Sequence, residues 1–130
     1  MIEAKTESKF KANLLRVRSL RDGWRDGEGK APTVELLDWF EGWFFDFYKE
    51  NFPGLDYPTL FIKMFEGGLV LEWFLPGLQP SLDISPEKTG WLHAIVPSSK
   101  LGYVEIDFDF NNPNDNLWVN LLRIFLNRSL

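Results

Sequence analysis

Six residues in the second half of the chain carry the chemistry this sequence could support: Glu72, Asp83, His93, Glu105, Asp107 and Asp109. His93 is the only histidine, which excludes any metal site built from several imidazoles. Beside a carboxylate across a sheet it could act as a general base. A lone histidine in a strand more commonly packs or sits half-exposed. Glu105, Asp107 and Asp109 alternate with Val104, Ile106 and Phe108, so a strand there puts all three carboxylates on one side. Asp83 and Glu72 occupy similar places in two other strand-like runs. An acidic plate of this kind could meet a basic protein, take a hard cation such as Mg²⁺ or Ca²⁺, or simply stay hydrated. Serines lack any Gly-x-Ser-x-Gly context. Cysteine is absent, so there is no thiol nucleophile and no thiolate metal site. The Glu-x-Lys triplets at Glu3 and Glu7 precede every strand acid, the wrong order for a nuclease site. No catalytic residue, metal ligand or cofactor is therefore assigned.

A second distinctive stretch is the connector RDGWRDGEGKAP, residues 21–32, where Gly23, Gly27 and Gly29 surround Trp24. It follows a helical pattern and lacks the spaced Gly-Lys-Ser/Thr order, so it is not a phosphate loop. It is either a contact loop that presents Trp24 to a partner, or a turn whose glycines let Trp24 plug the core. One reading of the chain makes it a small enzyme or ligand-binding protein, with this loop, Glu72, Asp83 and His93 converging on a pocket.

The elements that must position these residues follow from periodicity. Phe10, Leu14 and Val17 predict a helix over 4–20. Leu36, Phe40, Trp43, Phe44 and Phe47 predict a second over 33–51, entered at Pro32 or Thr33. Gly42 inside it suggests a close backbone approach. The stretch 59–74 alternates on both sides of Glu66-Gly67-Gly68, which predicts a hairpin turning on those glycines. Further strands are expected at 81–85, 91–96 and 103–110, with turns at 86–90 and 97–102. A last helix is expected from Asn112-Pro113 to Arg128, with Leu117, Leu121, Ile124 and Phe125 as its apolar face. The order predicts one α+β domain over 1–130. In it a five-stranded antiparallel meander carries two N-terminal helices and one C-terminal helix on one face.

At 130 residues the chain suits a single core. Twelve Phe and six Trp give that core a large apolar area. The net charge of −5 conceals an asymmetry: residues 1–30 carry eight Lys/Arg against five acids, and residues 31–130 carry six against fourteen. An acidic body favours basic partners and disfavours nucleic acid. The N-terminus lacks the apolar run of a signal peptide, and no run approaches a membrane span, so a soluble cytoplasmic protein is expected. The sequence leaves its oligomeric state open.

The segments LRDGWRDGEGKAP (20–32), YPTLFIKMFEGGLVLEW (57–73) and WLHA (91–94) resemble a family of small bacterial proteins. The shared pattern is a Gly-Trp-x-x-Gly-x-Gly-x-x-Pro loop, here Gly23 to Pro32. A Tyr-Pro-Thr strand follows, then a Glu-Gly-Gly turn leading to Glu72-Trp73. The insertion Leu60–Met64 departs from it and bears on the hairpin register. The resemblance implies no established activity; it points towards toxin–antitoxin or immunity-type gene pairs. The residues and the resemblance together lead to the expectation of a non-enzymatic protein-binding module. Its contact residues would be Asp83, Glu105, Asp107, Asp109 and Trp24, meeting a basic partner. The structural motif would be Gly23, Gly27, Gly29, Gly67, Gly68, Glu72 and Trp73. If Glu72 is buried, Arg21, Arg25 or Lys30 is its expected counter-ion.

Overall fold

The computed structural model describes residues 6–63, 65–96 and 102–127. In chain order these form α1 (Glu7–Arg18), α2 (Val34–Asn51), β1 (Thr59–Lys63), β2 (Gly68–Glu72), β3 (Ser81–Ile84), β4 (Thr89–Val96), β5 (Gly102–Asp109) and α3 (Leu117–Asn127). All five strands pair antiparallel in sequence order, as the alternation predicts. One face of the sheet supplies Leu60, Leu69, Leu71, Leu82, Ile84, Leu92 and Ala94 to the core. The helices cover that face.

Local chemistry explains where the helices begin and lie. The Thr33 hydroxyl accepts a hydrogen bond from the Leu36 amide at 3.1 Å and caps α2. α2 buries Leu36, Leu37, Phe40, Phe44 and Tyr48 at helical spacing. Phe10 of α1 stacks on Phe44 at 5.2 Å between centroids. On the other side of α2, Phe47 meets Trp118 of α3 at 5.3 Å, and Trp118 stacks on Phe108 of β5 at 4.6 Å. The helices thus run α1, α2, α3 across the sheet from β1 to β5. The Asn13 side-chain amide donates to the Leu60 carbonyl at 2.8 Å, which ties α1 to the outer side of β1.

Two polar ties lie within the core. Glu7, 2% exposed, accepts from the Tyr57 hydroxyl at 3.1 Å and pairs with Lys11 at 2.8 Å and Lys49 at 3.6 Å. The Lys11 contact is the main reason its carboxyl is held below the usual carboxylate range, and Tyr57 and Lys49 add to it. Trp73 donates its indole N–H to the Tyr48 hydroxyl at 3.1 Å, and Tyr48 donates onward to the Asp56 carbonyl. Burial pushes the Tyr48 phenol up.

Several expectations are corrected. α3 starts at Leu117, not near Asn112. Asn112 and Asp115 instead build turns: Asn112 accepts from the Asn114 amide at 3.1 Å, and Asp115 accepts from the Asp109 amide at 2.9 Å. Its buried face is Trp118, Leu122, Phe125 and Leu126, while Leu117 and Ile124 are 65% and 57% exposed. Gly42 approaches nothing and lies on the exposed side of α2. Gly67, at φ +71°, makes the turn, but Gly68 belongs to β2. A Cβ on Gly68 would lie 2.6 Å from the Ile84 carbonyl oxygen, so glycine is required there by the close approach of β3. Thr89 and Gly90, expected in a turn, open β4. The Phe108 ring lies over Gly90 where a Cβ would stand. Met64 and the expected turn at 97–101 lie outside the described residues.

Candidate functional site

The uncovered sheet face is built by register. One row across it reads Phe61, Val70, Asp83, Trp91 and Asp107, and the next reads Thr59, Glu72, Ser81, His93 and Glu105. Asp109 stands beyond, opposite Thr89, and Tyr103 opposite Ile95. The structure therefore puts Glu72, Asp83, Glu105, Asp107 and Asp109 on one face. It adds a group that no single strand announces. Asp83 receives the Lys63 ammonium at 2.8 Å on one carboxylate oxygen and the His93 Nε2 at 3.2 Å on the other. Trp91 stacks on the His93 ring, 3.7 Å between centroids and 21° between planes.

The Asp83 hydrogen bond is the main reason the Lys63 ammonium is held above the usual lysine range, against a smaller opposing effect of burial. The phenol of Tyr103 is pushed up by desolvation and then by its hydrogen bond to Glu105. Two open hollows flank the cluster. One, of about 470 Å³, is lined by Lys63, Asp83, Trp91 and Asp107. The other, of about 410 Å³, is lined by Ser81, His93, Ile95 and Tyr103 with the turn at 75–79.

What this can do chemically follows from its connections. Asp83 is already engaged on both oxygens, by the Lys63 ammonium and by the His93 ring. Ser81 stands directly opposite His93 but is not hydrogen-bonded to it, so this pair does not form a base-activated hydroxyl. Among the described residues, no group of three His, Cys, Asp or Glu is arranged to hold a metal ion. Glu105 and Asp107 are exposed, and neither has a salt-bridge partner among the described residues. Surplus negative charge therefore gathers along β5, beside the exposed side chains of Ile95 and Tyr103.

The other candidates lie elsewhere. In the connector, the Gly23 amide donates to the Gly29 carbonyl at 2.7 Å, Arg25 bridges to Glu28, and the Asp22 carboxylate accepts from the Ala31 amide. Gly23, Gly27 and Gly29 all have positive φ, which suits glycine alone at little cost. Trp24 is half-buried with its indole edge against Gly29, where a Cβ would stand 2.8 Å away. It is held in this small hairpin and not displayed on the sheet face. The connector does meet the β1–β2 turn, through the Ala31 carbonyl beside Gly67. Glu72 is at the far end of β2, half-buried on the uncovered face. It has no ion pair with Arg21, Arg25 or Lys30, and Arg21 instead donates to the carbonyls of Arg18 and Leu20. The loop, Glu72, Asp83 and His93 do not converge on one pocket. Lys63 and Trp91 are the members that sequence reasoning missed. Alternation puts each on the polar side of its strand, but only the register brings them to Asp83.

No protein-family model, curated protein or solved structure gives a significant match to this chain. No helix among the described residues is long and apolar enough to cross a membrane.

Proposed function

We propose that this protein is a non-enzymatic binding module whose uncovered sheet face holds a basic protein partner, in the manner of an antitoxin or immunity-type protein. The observation that carries the reading is the combination on β5 of exposed Glu105 and Asp107, which have no salt-bridge partner among the described residues, with the exposed side chains of Ile95 and Tyr103 alongside. Charge of one sign speeds and orients encounter, and the aromatic area supplies the contact that holds.

The test compares immobilised protein with its Glu105→Lys/Asp107→Lys variant in extracts at low and high salt. The expected result is a basic protein retained by the first at low salt, released by added salt, and absent from the second. Equal retention by both, or retention of nothing, overturns the reading. A second reading makes Asp83 and His93 a small-ligand site, favoured by their 3.2 Å contact between the two hollows. It predicts a ligand-induced melting shift that His93→Gln removes while capture of the basic protein persists.

A further inference from the structure

The two edges of the sheet differ. At β1, α1 is latched across the edge by the Asn13 amide on the Leu60 carbonyl. At β5, no strand lies beyond among the described residues. The pairing phase shows which backbone groups point outwards there. The Phe110 amide donates to the Lys88 carbonyl, and the Ser85 amide donates to the Thr89 carbonyl. In an antiparallel ladder the bonded pairs alternate. Gly90, Leu92 and Ala94 of β4 therefore bond to Phe108, Ile106 and Val104 of β5. The N–H and C=O groups of Tyr103, Glu105 and Asp107 face away from the sheet. That of Asp109 also faces away, but its N–H is taken by Asp115 at 2.9 Å, which closes the edge at that end. Among the described residues, nothing bonds to the other three outward pairs.

α3 overhangs the same edge with a second apolar stripe. Leu117, Leu121 and Ile124 recur at i, i+4 and i+7, beside the buried stripe of Trp118, Leu122 and Phe125. The buried stripe faces the sheet. Arg123, which donates to Asn51 at 3.0 Å, marks the side towards α2. At 3.6 residues per turn, Leu117, Leu121 and Ile124 fall on the side away from α2. That side projects past β5. Leu117 and Ile124 are exposed and Leu121 is only partly buried, as are Val104 and Ile106 beneath them.

We infer that the β5 edge is a strand-addition site for an extended segment of a basic partner, with apolar and cationic residues alternating. Such a strand bonds to the outward groups of Tyr103, Glu105 and Asp107. Its apolar side chains turn inwards under Leu117, Leu121 and Ile124. Its Lys or Arg side chains turn to the uncovered face, beside Glu105 and Asp107. Charge selects this occupant against a second copy of the chain, because pairing β5 with itself sets acids against acids. The inference rests on the reading that the partner is basic, and specifies how that partner is held.

The test uses three capped nine-residue peptides with the full-length protein. One alternates Lys with Val, one has the same composition with all Lys first, and one is the alternating peptide N-methylated on the amides of one edge. Titration is followed by calorimetry and by amide hydrogen exchange. The expected result is that the alternating peptide binds about tenfold or more tightly than the other two, and slows exchange at Tyr103, Glu105 and Asp107. Glu105→Pro, which removes an outward N–H, should lower the alternating peptide's affinity to that of the block peptide, while Asn120→Ala on α3 leaves it unchanged. Equal binding of all three peptides without protection at β5 overturns strand addition while the acidic-face reading stands. Binding of none overturns both. Slow exchange at those amides in protein alone, with dimer formation on dilution series, assigns the edge to a second copy and overturns the inference.

Discussion

Glu7 shows how a single charge is made tolerable inside an aromatic core. Its carboxylate is fixed by Tyr57, Lys11 and Lys49, so removing it breaks a buried hydrogen bond and two ion pairs together. Glu7→Ala should cost about 2 kcal/mol, read by urea denaturation. Because its folded pKa lies below its unfolded value, it contributes stability above the ordinary carboxylate range. That contribution is lost as pH falls through the lowered folded value. The wild-type denaturation midpoint should therefore drop in acid, and the Glu7→Gln variant should drop less. At this scale the sequence offered little warning. In the sequence Glu7 looks like one more acid in the first turn of a helix, and only the return of Tyr57 and Lys49 from distant positions explains its burial. His93 and Asp83 were visible as candidates. Lys63 and Trp91 were not, because they meet Asp83 across strands.

Elements were easier to read than their faces. Period-2 alternation located all five strands, and Phe10, Leu14 and Val17 lie buried on α1 as spaced. Two apolar stripes share α3, and periodicity alone cannot say which one meets the sheet; of the expected stripe only Phe125 is fully buried. Gly42 packs against nothing, so Gly42→Ala should raise stability by roughly 1 kcal/mol, the ordinary gain of alanine in a helix. Gly68→Ala should lower it by roughly 2 kcal/mol or more, because the Ile84 carbonyl lies where the methyl would stand. Thermal unfolding of the two variants checks both signs. A stabilised Gly68→Ala would mean that β3 yields to the new side chain.

For the whole molecule, charge is laid out by topology. Among the described residues, the basic residues of the first thirty positions lie on α1 and the connector, whereas the meander brings acids from three strands to one face. Screening sets the reach of that face, since the Debye length falls from about 30 Å at 0.01 M salt to about 10 Å at 0.1 M. Association with a basic partner should therefore slow steeply over that range while dissociation changes little, which stopped-flow measurements can separate. An association rate indifferent to salt would remove steering from the account. The sum of charges was readable from composition. Its placement on one face needed the sheet.

The Asn13–Leu60 latch has a consequence for how long the protein survives in solution. When α1 lifts, the outer groups of a Leu60-Phe61-Ile62 strand are bared, a segment rich in residues that stack into fibrils. Local opening of one short helix, far less costly than unfolding the domain, then governs aggregation. Asn13→Ala should shorten the lag before turbidity appears at high concentration, even where its melting temperature barely moves.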